Sequence, residues 1–289
     1  MTTGEKSKMD EHEIIKLRKD KIKKLREEKI HPFTNTKQPD TTAADIIEKF
    51  SDFPKDKLEE TDKEERFSIA GRLMSLRVMG KLAFAHLQDE TASIQVMFTK
   101  NFMKDNFAIF KETVDVGDII WVEGEIFMTR KGELSILVHE HLLLTKNSRP
   151  LPEKFHGLTD KETRYRQRYV DLLMNEDVRK VFKKRTEIIK YIRNFMDNRG
   201  FMEVETPMMH PLVSGAAARP FVTHHNTLDM SLYMRIAPEC YLKRLLVGGL
   251  GKVYEINRNF RNEGMDSMHN PEFTMMEFYW PYVTFKEQM

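Results

Sequence analysis

The sequence contains a single cysteine, Cys240. That excludes a disulfide within the chain, and one thiol cannot by itself assemble a zinc site. Charge of one sign is also missing: 47 Lys and Arg against 45 Asp and Glu leave a formal net charge of +2, so any basic surface is local. No apolar run approaches the length that crosses a bilayer. The opening residues, "MTTGEKSKMDEHEIIKLRKDK", lack the apolar core and cleavage site of a secretory signal. These absences point to a reducing, cytoplasmic setting with no membrane partner. What is present is a globular, strongly solvated chain, 40% hydrophobic and 32% charged, whose 289 residues suffice for two domains.

Positive charge gathers near the N-terminus. Residues 5–29, "EKSKMDEHEIIKLRKDKIKKLREEK", are dense in Lys and Arg, while Ile15, Ile22 and Leu25 keep a roughly helical stripe. The pattern predicts an amphipathic basic helix, which serves equally as a solvated surface helix or as a contact to an RNA backbone. A short helix is expected over Thr42–Phe50, and the rest of residues 1–65 is connection.

Residues 66–146 change to strand periodicity. In "LAFAHLQD", Ala83, Ala85 and Leu87 alternate with Leu82, Phe84 and His86. In "SIQVMF", Ile94, Val96 and Phe98 alternate with Ser93, Gln95 and Met97, and in "ELSILVH", Leu134, Ile136 and Val138 alternate with Glu133, Ser135 and Leu137. Successive side chains on a strand take opposite faces, so each run has a core face and an outer face. "RKGE" (Arg130–Glu133) reads as a hairpin turn, and "KNFMKDNFAIFKE" as a helical insertion. About five short strands with one helical insertion predict a small closed barrel of the oligonucleotide-binding (OB) kind. Residues 147–172, proline-containing and then basic, are the expected linker.

Residues 173–289 open with a long helix carrying Val178, Val181, Phe182, Ile188, Ile189, Ile192 and Phe195 at helical spacing, with Asn175 at its start and Gly200 past its end. A strand, "FMEVET", follows and stops at Pro207. Further on, "KVYEINRNFRNE" and "PEFTMMEFYW" read as two strands joined by "GMDSMHN". On the first, Val253, Glu255, Asn257, Asn259, Arg261 and Glu263 share a face; on the second, Phe273, Met275, Glu277 and Tyr279 do. If the faces coincide, the hairpin presents a fixed cation, carboxylates, an aromatic ring and a phenol together. Such a face suits a binding site, although a solvent-exposed sheet face is polar too.

The residues also carry a resemblance. "FRNEGMDSMHNPEFTMMEFY" resembles the second signature motif of the class II aminoacyl-tRNA synthetases, an arginine-bearing antiparallel hairpin that binds ATP, and "GFMEVETPMM" resembles the first. "GAAARPFVTHHNTLDMSLYMRIAPE" and "KFHGLTDKETRYRQRYVDL" are similar to the lysine-specific (lysyl-tRNA synthetase) branch of that family. The resemblance implies an α+β fold, an N-terminal OB-fold barrel followed by the first part of a class II catalytic domain, an antiparallel sheet with helices. It implies that lysine and ATP give lysyl-adenylate, and that the lysyl group then passes to tRNA(Lys). Arg261 is then the catalytic arginine between the α-phosphate and the lysine carboxylate. Phe273 stacks on adenine, and Glu263, His269 and Asn270 surround the adenine and phosphates. Glu239 and Gly215 meet the α-amino end of lysine, Glu277 and Tyr279 its ε-ammonium. In the barrel, Phe84 stacks on an anticodon base, Gln95 and Glu133 bond base edges, and Arg77 is a further contact. The resemblance further implies Mg2+ with ATP, held by no ligand in this chain, and a homodimer through the first motif.

The departures are Ser214 where glycine is usual, Cys240 where leucine is usual, Trp280 and Pro281. Ser214 restricts the backbone beside the ligand. The third family motif is expected beyond Met289, and "TFKE" sets Thr284 and Glu287 at capping-box spacing for a helix that the remaining residues barely extend. The sequence is therefore expected to be an N-terminal portion of a ligase or, alternatively, an inactive tRNA-binding protein.

Overall fold

Alternating apolar residues close a barrel when each strand buries one face. In this computed structural model, which describes residues 10–51, 65–129, 131–152 and 158–289, five strands do so. They are β1 (Phe67–Met79), β2 (Leu82–Gln88), β3 (Ser93–Thr99), β4 (Ile119–Met128) and β5 (Leu134–Thr145), joined in the order β1-β2-β3-β5-β4. Ala83, Ala85, Leu87, Ile94, Val96, Phe98, Ile136 and Val138 are all in the core, as the alternation predicts. The outer-face expectation needs one correction. Ser135 is fully buried, because its hydroxyl is covered while it bonds the Gln95 side chain and the Glu133 carbonyl. The turn before β5 is closed by Thr129 and Gly132 (φ 79°), and Arg130 lies outside the described residues.

The helices around the barrel are tied to it by specific contacts. Between β3 and β4, α3 (Lys100–Met103) and α4 (Asn106–Thr113) place Met103, Phe107 and Phe110 in the core, with Phe98 and Phe110 stacked 4.0 Å apart. α2 (Ala43–Phe50) is started by Thr42, which forms a full capping box with Asp45, and it adds Ala43, Ile46 and Phe50 to the core. The basic α1 (Glu11–Glu27) adds Leu25. Its Arg18 is buried and donates to the carbonyls of Val116, Asn147 and Arg149, while Lys21 reaches Asp115 at 2.7 Å. The fully buried Lys146 ammonium joins Asp115, Asp118 and the Thr113 carbonyl. Three acceptors meet its three donors, so this charge is buried without an unmet hydrogen bond. α5 (Lys161–Arg166) and α6 (Arg168–Met174) occupy the end of the segment expected as linker, their arginines Arg164 and Arg168 both on the buried Asp171.

One barrel residue makes stability depend on pH. The His141 ring packs edge-on against Phe98 and Phe110, and its Nδ1 is buried without a partner. Burial pushes its pKa down from 6.5 to about 4. The unfolded chain therefore binds a proton in that range which the folded barrel refuses. The stability is fully present above the unfolded pKa and is lost as the pH falls towards the folded one. At about pH 5 the loss is about 2 kcal/mol. His141→Phe is expected to remove that acid sensitivity. Urea unfolding at neutral and at mildly acid pH, followed by Trp121 fluorescence in a Trp280→Phe background, measures it. An unchanged pH dependence in His141→Phe would assign the effect to other groups.

The chain divides into two units between Met174 and Asn175. The second opens on α7 (Glu176–Asp197), whose C-terminal end is followed by Gly200 in the left-handed region (φ 75°). β6 (Met202–Glu203) pairs in parallel with β10 (Val253–Phe260), which pairs antiparallel with β11 (Glu272–Tyr279). A separate sheet has the order β7-β9-β8, from β7 (Met209–His210), β8 (Val222–His225) and β9 (Met230–Met234). α8 (Glu239–Val247) precedes β10, and α9 (Phe285–Gln288) begins at Thr284 with its capping box formed. The predicted strand "FMEVET" is shorter than expected. Past Val204 the chain leaves the ladder, and the backbone and hydroxyl of Thr206 turn to the Glu255 carboxylate instead. Met196, Phe201 and Tyr254 form the core here, with Ile192, Ile256, Met276 and Trp280 packed on it. The apolar stripe of α7 is only partly used: Met196 is buried, but Val181 and Ile188 are 66% and 53% exposed.

Candidate active site and nucleic-acid face

The β10–β11 register sets Val253 opposite Tyr279, Glu255 opposite Glu277, Asn257 opposite Met275 and Asn259 opposite Phe273. Directly opposed residues on an antiparallel pair point the same way, so the two polar faces coincide. The back of the sheet carries Tyr254, Ile256, Met276 and Phe278; there Tyr254 donates to Asp197 and Glu203, and Ile256 and Met276 pack on the core. One strand pair therefore has a packed side and a chemically equipped side.

At the loop end of the polar face, Arg261 is half-buried with its guanidinium carbon 5.2 Å from the centre of the Phe273 ring. Its backbone N–H donates to Pro271, which ties the loop shut, but its buried Nε has no hydrogen-bond partner. The buried Oδ1 of Asn259 is also unpartnered. Glu263, His269 and Asn270 stand on the exposed loop. Glu263 accepts a long bond from the Arg219 backbone at 3.4 Å. The His269 ring and backbone are both taken up by Asp266, whose carboxyl is held below its usual range by the Met268 N–H and by His269. The structure thus brings Arg261 and Phe273 together and leaves these three residues outside that contact.

At the other end of the face, the Tyr279 hydroxyl donates to Glu277 at 2.9 Å. Burial pushes the Glu277 carboxyl up, helped by the negative charges of Glu239 and Glu255, while Tyr279 and Arg235 act against that rise. Burial also raises the Tyr279 phenol, and the Glu277 carboxylate raises it further. Glu239 is the first residue of α8, after Pro238, and pairs with Lys243 one turn on. Gly215 has φ 92°, and a Cβ there would lie 3.2 Å from the Ala237 side chain and 3.3 Å from that of Glu239. Any side chain at 215 is therefore strained twice, by its backbone and by its neighbours.

Sequence reasoning placed Glu255 on the polar face but gave no role to Arg235 or Thr206, and the three together organise this end. Arg235 is 1% exposed and its Nη1 lies 2.7 Å from the equally buried Glu255. Thr206 donates its hydroxyl to Glu255 at 2.6 Å, and Arg235 Nε donates to the Arg258 carbonyl. The remaining nitrogen, Arg235 Nη2, is buried without a partner. The available signal was an arginine inside the apolar run "LYMRIAP", where a charge has to be answered by another.

The outer face of the barrel is the second chemically equipped surface. Phe84 lies beside Arg77 on β1 and Met97 on β3 and is half-buried, not in the core. Gln95 donates to Glu133 at 2.7 Å, so two of the named polar residues meet there.

Two family profiles match the chain. Residues 160–289 match the tRNA synthetases class II (D, K and N), and residues 67–144 match the OB-fold nucleic acid binding domain. Residues 160–289 therefore carry a class II tRNA synthetase domain, and an OB-fold domain precedes it. The lysine–tRNA ligase of Legionella pneumophila is 52% identical over 281 residues, 97% of this chain and 56% of the relative. That of Carboxydothermus hydrogenoformans is 52% identical over 279 residues, 96% of this chain and 55% of the relative. That of Magnetococcus marinus is 50% identical over 294 residues, 100% of this chain and 57% of the relative. The chain therefore spans little more than half the length of these ligases.

The synthetase match begins within the segment leading to α5, ahead of the division between the two units. For a class II synthetase, the metal that accompanies ATP needs converging acidic ligands. Among the described residues no three His, Cys, Asp or Glu side chains are placed to hold an ion. Asp266 is engaged by His269, and Glu239 by Lys243. Engaged in this way, these residues do not fit a metal. No helix among the described residues is long and apolar enough to cross a membrane.

Proposed function

We propose that the chain takes part in the ATP-dependent activation of lysine and its transfer to tRNA(Lys), in the cytoplasm. The observation that carries this is the one-sided hairpin, with Arg261 and Phe273 at its loop end and Glu277, Tyr279 and Glu239 at the other. Phe273 offers a flat face for adenine beside the Arg261 guanidinium. Lysine enters with its carboxylate already ionised, so its attack on the α-phosphate, which breaks the bond to the β-phosphate and releases pyrophosphate, needs no base. The rate comes from alignment and from charge stabilisation. Arg261 supplies fixed donors to the α-phosphate and the carboxylate and cannot lose its proton. Glu263, His269 and Asn270 line the nucleotide from the loop. Glu239 and Gly215 receive the α-amino end, and Glu277 with Tyr279 the ε-ammonium. A charged amine removed from water requires such a carboxylate, which excludes apolar amino acids. Val181 and Ile188, exposed on α7, support a homodimer through that helix.

The family profile covers aspartate, lysine and asparagine, so the deciding experiment is ATP–pyrophosphate exchange with each of these amino acids. In a chain of these ligases' full length, exchange with lysine alone is expected. Exchange with aspartate or asparagine would overturn the substrate. No exchange, together with retained tRNA binding, would favour an RNA-binding role without activation.

The barrel's part is to read the anticodon through Phe84, Gln95, Glu133 and Arg77. Phe84→Ala is expected to weaken tRNA(Lys) binding by about tenfold or more, since base stacking on an aromatic ring is worth about 1–3 kcal/mol. Lysine-dependent exchange should be unchanged. Filter binding and exchange on the same preparation test this, and an equal fall in both would make Phe84 a structural residue.

A further inference from the structure

The barrel pairs Ser75 with His86, His86 with Gln95 and Gln95 with Ser135. Strands β1, β2, β3 and β5 thus give one residue each to a single polar row across the outer face. The adjacent row on that face is Arg77, Phe84, Met97 and Leu137. The polar row is linked from end to end. Ser75 Oγ lies 2.9 Å from His86 Nδ1, and His86 Nε2 lies 3.2 Å from Glu133 Oε1. Gln95 Nε2 donates to Glu133 Oε2 at 2.7 Å, and the Ser135 hydroxyl donates to Gln95 Oε1 at 2.9 Å. For a neutral imidazole the donors have one consistent assignment. An ionised carboxylate accepts at both oxygens, so His86 carries its proton on Nε2 and receives the Ser75 hydroxyl at Nδ1.

Glu133 closes the turn before β5, and its side chain is 48% exposed. A carboxylate in that position samples several rotamers unless something holds it. Here His86 takes one oxygen and Gln95 the other. This holding leaves the remaining lone pairs of Glu133 and the second amide hydrogen of Gln95 free beside the row that contains Phe84.

We propose that His86 is a positioning residue for RNA recognition. It holds the Glu133 carboxylate where Glu133 and Gln95 meet the edge of a nucleotide base stacked on Phe84, and it makes no base contact itself. The inference rests on the barrel's outer face being the RNA-binding face. Its physical basis is preorganisation: the cost of ordering Glu133 is met on folding and not on binding.

The test is equilibrium binding of the chain to a tRNA(Lys) transcript. His86→Ala is expected to lower affinity about tenfold, the scale of a hydrogen bond to a charged group. His86→Gln returns an amide N–H towards Glu133 and should stay within about threefold of the parent. Glu133→Ala should cost about tenfold in the parent but less than about twofold in His86→Ala, where the carboxylate is no longer held. Phe84→Ala should keep its full effect in both backgrounds. Unchanged affinity in His86→Ala, or additive losses for His86→Ala and Glu133→Ala, would overturn the proposal while leaving the RNA-binding face intact. If the parent chain does not bind, or Phe84→Ala has no effect, the RNA-binding reading fails and this inference falls with it.

Discussion

Glu277→Gln is expected to weaken lysine binding by about thirtyfold to a hundredfold and to leave ATP binding within about threefold. The ligand ammonium is the partner this carboxylate lacks. Glu277 is held by one neutral donor, Tyr279, and its ionised form is disfavoured by burial and by two nearby carboxylates. An arriving ammonium relieves both, and hydrogen bonds to charged groups contribute about 1.5–3 kcal/mol. The amide of Gln keeps the shape but offers no charge. The same geometry gives a pH dependence. Because the carboxyl is raised, lysine binding should fall on acidification from a higher pH than an ordinary carboxylate sets, and this shift should vanish in Glu277→Gln. Calorimetric titration of lysine and ATP at several pH values reads both effects. Equal losses for lysine and ATP would remove Glu277 from the amino-acid pocket.

In a chain of the ligases' full length, Arg261→Lys is expected to slow lysine-dependent pyrophosphate exchange by about a hundredfold or more, the cost of losing a preorganised donor at a developing charge. Lysine carries a point charge on a flexible stem and cannot present two aligned donors. Arg261 has a buried Nε without a partner and sits beside the Phe273 ring, so it is placed before any ligand arrives. Binding of tRNA by the barrel should not change, because Arg261 belongs to the other unit. Exchange within about threefold of the parent rate would show that Arg261 does not bridge the reacting groups.

Much of this was legible because strand side chains alternate without ambiguity. Val96 and Phe98 against Gln95 and Met97 announce a core and an outer face, and the register confirms them. Short-range rules also carried the helix starts, since Thr42 and Thr284 find their acidic partners three residues away. The strand "FMEVET" misled because its continuation depended on a competing acceptor. Thr206 finds the Glu255 side chain, 49 residues on, and leaves the ladder. Ser135 misled in the same way: alternation gives a side chain's direction but not what covers it.

The sequence by itself determined which residues face which way within each strand, where α2, α7 and α9 begin and that Arg261, Phe273, Glu277 and Tyr279 belong to one hairpin. Those properties depend on neighbours a few residues apart. Only the tertiary structure decided that Arg235 and Glu255 answer each other's charge, that Gly215 lies against Glu239, and that Ser75, His86, Glu133, Gln95 and Ser135 form one chain of hydrogen bonds. The physical reason is that a buried charge or an exposed carboxylate is oriented by whichever donor the fold brings near, and sequence spacing does not say which one that is.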